Sequence, residues 1–156
     1  MKGNEKVIAR LNKALHDELT AIVQYMVQAE ICENWGYGRL AGLTKGRAME
    51  EMHHAERLIE RIIFLDGTPN VNVPLEPEVG TTVQQQLETD LSSESIAIRD
   101  YNEDIAASAE LGDAGSKDLF EALLRDEEKH ADFLEAQLHS IKEMGLGAYL
   151  SQQMGK

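Results

Sequence analysis

Six side chains have the types and spacing of metal ligands: Glu18, Glu51, His54, Glu94, Glu127 and His130. Glu51 and His54 stand at i and i+3 in the run MEEMHHAE (residues 49–56), and Glu127 and His130 repeat that spacing in DEEKHADF (126–133). On a helix such a pair shares one face. Carboxylates with two imidazoles suit iron or manganese; zinc would bind as well, and ligand type alone does not separate them. Two Fe(II) ions side by side would suit delivery of two electrons to O2 or H2O2.

The six residues belong to an internal duplication. Leu11, Leu15, Glu18, Ile22 and Tyr25 recur 76 positions later as Leu87, Leu91, Glu94, Ile98 and Tyr101. The same shift carries Glu51, His54, Ala55 and Leu58 onto Glu127, His130, Ala131 and Leu134. Glu18 and Glu94 lie in line with leucines and isoleucines, on the stripe that must face a core. Burying four carboxylates with no cation nearby would cost several kcal/mol each. No Lys or Arg repeats on the inward stripe, since Arg47 and Arg57 fall on Leu123 and Phe133. Two divalent metals would balance four carboxylates, with the imidazoles bound neutral. A Glu from each of two helices plus Glu-x-x-His from each of the other two is the di-iron carboxylate arrangement. In it Glu51 and Glu127 would bridge, Glu18 and Glu94 would be terminal, and each metal would take one histidine.

Tyr25 and Tyr101 follow the terminal glutamates by seven residues on the same face. Each is either a hydroxyl that orients a carboxylate or a core aromatic satisfied elsewhere; retention of Tyr in both copies favours the first. Met52 points about 100° away from the Glu51 stripe. Its face continues through Ile59 and Ile63, and Leu19, Val23 and Met26 form a similar stripe on the first helix. The repeat-related positions are Glu128, Glu135, His139, Ser95, Arg99 and Asn102. An apolar outer face on one half only implies a partner surface. A two-fold dimer is the simplest closure, and on these residues alone Met52 reads as interface packing. His16, His53 and His139 lack repeat partners and are expected to be exposed.

These side chains must be carried by long helices. Apolar spacing predicts an all-α chain with helices over about residues 5–34, 40–65, 82–111 and 116–144, and a short fifth over 146–154. The segment 66–81 holds all three prolines and shows no helical period. Extended, it spans up to about 55 Å, against about 40 Å for such helices. A single-domain four-helix bundle, its second and third helices parallel and joined by one long crossover, accounts for it.

Composition narrows the partners. Acidic residues outnumber basic ones 28 to 15, for a net charge of −13, which disfavours nucleic acid and favours cations. One cysteine, Cys32, excludes an internal disulfide and a Cys-rich zinc site; it reads as a small buried hydrophobe. The opening MKGNEKVIARLNKALHDEL has no long apolar run, so no signal peptide or membrane span is expected and the cytoplasm is the default location.

Over nearly its whole length the chain resembles the bacterioferritin family. The resemblance rests on MKGNEKVIARLNKAL, ENWGY, MEEMHHAERLIERIIFLDGTPN, DEEKHADFLEAQL and MGLGAYLSQQM. It implies a ferritin-like bundle and a cage of 24 subunits, built from two-fold dimers, around a ferric mineral. It implies a ferroxidase centre of two Fe per subunit at Glu18, Glu51, His54, Glu94, Glu127 and His130. It further implies one haem b per subunit pair, ligated by Met52 and its two-fold mate, and an electron donor that reduces the core. Three alternatives compete. A rubrerythrin-like peroxide-reducing enzyme lacks support from a CxxC pair. A haem-binding or structural subunit of a mixed cage would not need the complete six-ligand set. A smaller DNA-protecting cage places its metal site between subunits, whereas the repeat here completes the site within one chain.

Overall fold

The computed structural model describes residues 1–155. Four long helices, α1 (Glu5–Asn34), α2 (Gly38–Phe64), α3 (Val83–Glu110) and α4 (Ala114–Met144), are followed by the six-residue α5 (Leu146–Ser151). No strand occurs among the described residues. The helices begin where the sequence offers acceptors for the free N–H groups of a first turn. The Asn4 side chain accepts from the Lys6 N–H, Thr82 from Gln85, and Asp113 from Ser116.

The second helix starts at Gly38 rather than residue 40 and has no side-chain cap. The end of the chain supplies one instead: the Arg39 N–H donates to the Gln153 carbonyl at 3.0 Å. Gly38 itself must lack a side chain, because a Cβ there would stand 1.9 Å from the Gly155 carbonyl oxygen. The fourth helix likewise starts sooner, at Ala114, because Asp113 caps it. It ends at Gly145, whose φ of +85° breaks the helix. The fifth helix stops at Ser151 rather than residue 154: the N–H groups of Gln152 and Gln153 turn back to the Tyr149 and Leu150 carbonyls.

The crossover between α2 and α3 runs along α1, held by polar side chains on one face of that helix. Asn12 donates to the Thr68 carbonyl and accepts from the Asn70 N–H. His16 Nε2 lies 3.0 Å from the Pro74 carbonyl, and the Gln24 and Gln28 amide oxygens accept from Glu78 and Gly80. Contacts that rise together along α1 and the crossover fix its direction, so α2 and α3 run parallel. His16, expected to be exposed, is half-buried by this task.

Two apolar clusters fill the bundle at either end. Val7, Leu11, Leu15, Leu58, Ile62, Phe120 and Leu123 make one. Cys32, Leu40, Val83, Leu87, Leu134, Ile141 and Tyr149 make the other. Each fully buried large side chain contributes about 1.5–3 kcal/mol. Between the clusters the interior becomes polar.

Candidate metal centre

In that middle layer each long helix turns acidic side chains inward. Glu18 (α1), Glu51 and His54 (α2), Glu94 (α3), and Glu127 and His130 (α4) are all buried. They form two overlapping groups, Glu18–Glu51–His54–Glu127 and Glu51–Glu94–Glu127–His130. Within each, one potential ligand atom from every residue lies within 4.8 Å of the others. Glu51 and Glu127 belong to both. His54 Nδ1 stands 3.4 Å from Glu18 and 3.0 Å from Glu127. His130 Nδ1 stands 3.5 Å from Glu94 and 3.0 Å from Glu51. The two imidazole rings stack with centroids 6.5 Å apart.

None of these inward atoms has an aligned hydrogen-bond partner. Glu18 Oε2, Glu51 Oε1, Glu94 Oε2, Glu127 Oε1 and both Nδ1 atoms are buried and unsatisfied. Folded proteins rarely leave buried polar atoms unpaired; here six converge on one small volume. The donor set of carboxylate oxygens and imidazole nitrogens, arranged in two groups with two shared residues, fits a pair of divalent cations.

The far side of each imidazole is held. His54 Nε2 lies 2.9 Å from Asp126, and His130 Nε2 bonds Glu50. A carboxylate on Nε2 keeps the proton there and leaves the Nδ1 lone pair free for a cation. Sequence reasoning did not assign Asp126 or Glu50 to the centre. The signal was present, because the 76-residue shift maps Glu50 onto Asp126.

Tyr25 and Tyr101 are buried and cross the bundle in a matched pair. The Tyr25 hydroxyl donates to Glu94, and Tyr101 donates to Glu18. Each thus fixes an oxygen of the glutamate on the opposite repeat. Burial, followed by the neighbouring carboxylates, pushes both hydroxyls well above their usual pKa, so both stay protonated donors.

Without cations the centre holds protons instead. Burial, with Glu18 and Glu127 close by, raises Glu51 well above the carboxylate range, and burial with Glu127 raises Glu94 to about 8. Glu127 goes the other way: burial is outweighed by the neighbouring Glu94 carboxyl and both imidazoles, which favour its charged form. Burial disfavours the charged imidazoles, yet the carboxylates hold His54 up to about 11 and His130 to about 10.

A cavity of about 260 Å³ lies between α1 and α3 over this layer. Its floor includes Glu18, Glu51, Glu94 and Glu127, and its mouth carries Asp17, Lys13 and Asp100. Met52 is not part of the centre. It is 37% exposed on the outside of α2, on a face shared with Ile63 at 58% and, across on α1, Met26 at 51%. The repeat-related Ser95, Arg99, Asn102, Glu128, Glu135 and His139 are exposed and polar.

Fold and centre together define a four-helix bundle with a paired carboxylate–histidine site enclosed by one chain. A family model described as a ferritin-like domain matches residues 8–144. The bacterioferritin of Brucella melitensis is 46% identical over 149 residues, covering 96% of this chain and 92% of that protein. Those of Rhodobacter capsulatus and Mycobacterium avium are 44% and 37% identical, over 93% and 97% of this chain and 90% and 96% of the relatives. The chain belongs to the bacterioferritin family.

Proposed function

We propose that this protein stores iron, oxidising Fe(II) at the enclosed centre and holding the ferric product inside a cage of 24 subunits. The carrying observation is the convergence of six buried, hydrogen-bond-free ligand atoms from six residues on four helices. Fe(II) is the substrate: two ions each give up one electron, and with two protons these electrons convert H2O2 to two waters or O2 to H2O2. Glu51 and Glu127 are shared by both positions. Glu18 with His54 serves one position and Glu94 with His130 the other. Asp126 and Glu50 hold the imidazole protons away from the metal side, and Tyr101 and Tyr25 orient the terminal glutamates. The cavity between α1 and α3 gives Fe(II) a route past Asp17 and Asp100. A net charge of −13 draws cations toward it.

The apolar strip around Met52 supports a two-fold interface. Met52, exposed on the outer face with Met26 and Ile63, would hold one haem b between two copies, its thioether and that of the second copy serving as iron ligands. A haem held there would supply one-electron transfer, which suits an external donor that reduces the stored core. A cytoplasmic location completes the reading; no helix among the described residues is long and apolar enough to cross a membrane.

Aerobic Fe(II) oxidation tests the proposal, with wild type and Glu51→Ala given two irons per subunit and then several hundred per assembly. The expected result is rapid oxidation of both loads by wild type with the iron kept soluble, and loss of the fast phase in the variant. Turnover of the first two irons with precipitation of the excess would instead identify a small di-iron redox enzyme.

A further inference from the structure

The two cation positions are related by the internal repeat, but their surroundings are not. One turn before Glu51 and Glu94 stand Arg47 and Asp90; one turn before Glu127 and Glu18 stand Leu123 and Ala14. Arg47 and Asp90 are both buried, and Arg47 Nη2 donates to Asp90 Oδ2 at 2.9 Å. The guanidinium carbon sits 4.4 Å from the centre of the Tyr25 ring, and the Tyr25 hydroxyl is bonded to Glu94. On the other side Tyr101 rests on Phe120 at 6.0 Å, above Leu123. Basic side chains near that half, Lys13 and Arg10, lie at the surface and are paired with Asp100 and Asp104.

The buried ion pair does not cancel as seen from the centre. Asp90 accepts from the Gln24 and Gln28 amides as well as from Arg47, so its charge is spread over several donors. Arg47 Nε and Nη1 have no partner. Burial disfavours the charged guanidinium, yet Tyr25, Asp90 and Glu94 hold its pKa above the ordinary value.

We infer that Arg47 makes the two cation positions unequal: its buried guanidinium, stacked on Tyr25 behind Glu94, weakens the Glu94–His130 position, and the Glu18–His54 position fills first. The carboxylates on the apolar side have no buried arginine behind them, so a cation gains most there. A single buried charge at this remove, partly offset by Asp90, is worth about tenfold in affinity. Arg47 is a positioning residue, acting through Tyr25 and through its field. This inference rests on the proposed reading of the six residues as cation ligands.

Co(II) tests it, bound to the metal-free full-length protein and followed by calorimetry and ligand-field absorbance. Wild type should take two Co(II) per chain with stepwise constants separated by about tenfold. Glu94→Ala should keep one ion at the tighter constant, and Glu18→Ala one ion at the weaker. The double variant Arg47→Met/Asp90→Asn removes both charges and leaves Gln24 and Gln28 an amide to bond. Its two constants should converge to within about threefold, whereas Arg47→Lys, which keeps the charge, should retain the gap. Equal constants in wild type, tighter binding by Glu18→Ala than by Glu94→Ala, or a gap that survives in the double variant would each overturn the inference while leaving the ligand reading intact. Fewer than two Co(II) per chain, with uptake indifferent to Glu51→Ala, would remove that reading and the inference with it. If the double variant does not fold, the comparison of Glu18→Ala with Glu94→Ala decides alone.

Discussion

Each imidazole of the centre is gripped from behind by an acid that also faces solvent, and that grip sets the orientation of Nδ1. Asp126→Asn or Glu50→Gln should therefore weaken cation binding by about tenfold with no loss of helix, read by Co(II) or Zn(II) titration beside circular dichroism. Unchanged affinity would show that packing alone orients the rings. Glu51 argues the opposite trade. It is buried among other carboxylates and held well above its usual pKa, so it burdens the metal-free fold. Glu51→Gln should stabilise the metal-free protein by on the order of 1–3 kcal/mol in urea unfolding while abolishing rapid Fe(II) oxidation. Lower stability of that variant would mean that the carboxylate is already compensated without metal. A third residue sets a pH dependence. Burial, only partly opposed by Arg10, raises Asp104 to about 6 from its ordinary 3.8. The folded form thus holds the proton more tightly than the unfolded one, so the contribution of this group is present below about pH 4 and lost as the pH rises through 6. Relative to Asp104→Asn, wild type should lose stability between those limits; a difference constant with pH would contradict the assignment.

At the scale of elements, the long crossover is anchored by α1. Gln28 joins the Gly80 N–H to Asp90, and Gln24 joins Glu78 to the same carboxylate. Gln28→Ala leaves buried groups unpaired and should cost about 1–3 kcal/mol, with faster proteolysis of residues 66–82 as the local readout. A cost near zero would place the anchor elsewhere. The four helices and the six inward residues were legible in the sequence because they obey periodicities: apolar residues at helical spacing, and one offset of 76 that carries Glu18, Glu51 and His54 onto Glu94, Glu127 and His130. Arg47, Asp90, Gln24 and Gln28 were not legible, because they have no counterparts in the repeat and polar residues ordinarily read as surface. The role of His16 escaped for a related reason. Its partner is a backbone carbonyl 58 residues away, which no local pattern announces. The end of α5 was misjudged because the tail is shaped by its contact with Gly38 and Arg39 rather than by its own helix propensity.

For the whole molecule, the asymmetry between the halves matters more than their likeness. The centre uses both repeats equally, while the outer faces diverge, apolar around Met52 and polar at the related positions. Met26→Glu with Ile63→Glu should shift the assembly toward smaller species in sedimentation, and Met52→Leu should leave the purified protein without haem absorbance. A cage and a haem content unaffected by these changes would place the interface on another face. Whether two irons sit together inside one chain can be read from anomalous diffraction at the iron edge, using crystals loaded anaerobically with Fe(II). Two peaks per chain are expected, one between Glu18 and His54 and one between Glu94 and His130, both within reach of Glu51 and Glu127. A single peak, or iron bound only on surface carboxylates with the interior empty, would contradict the paired centre.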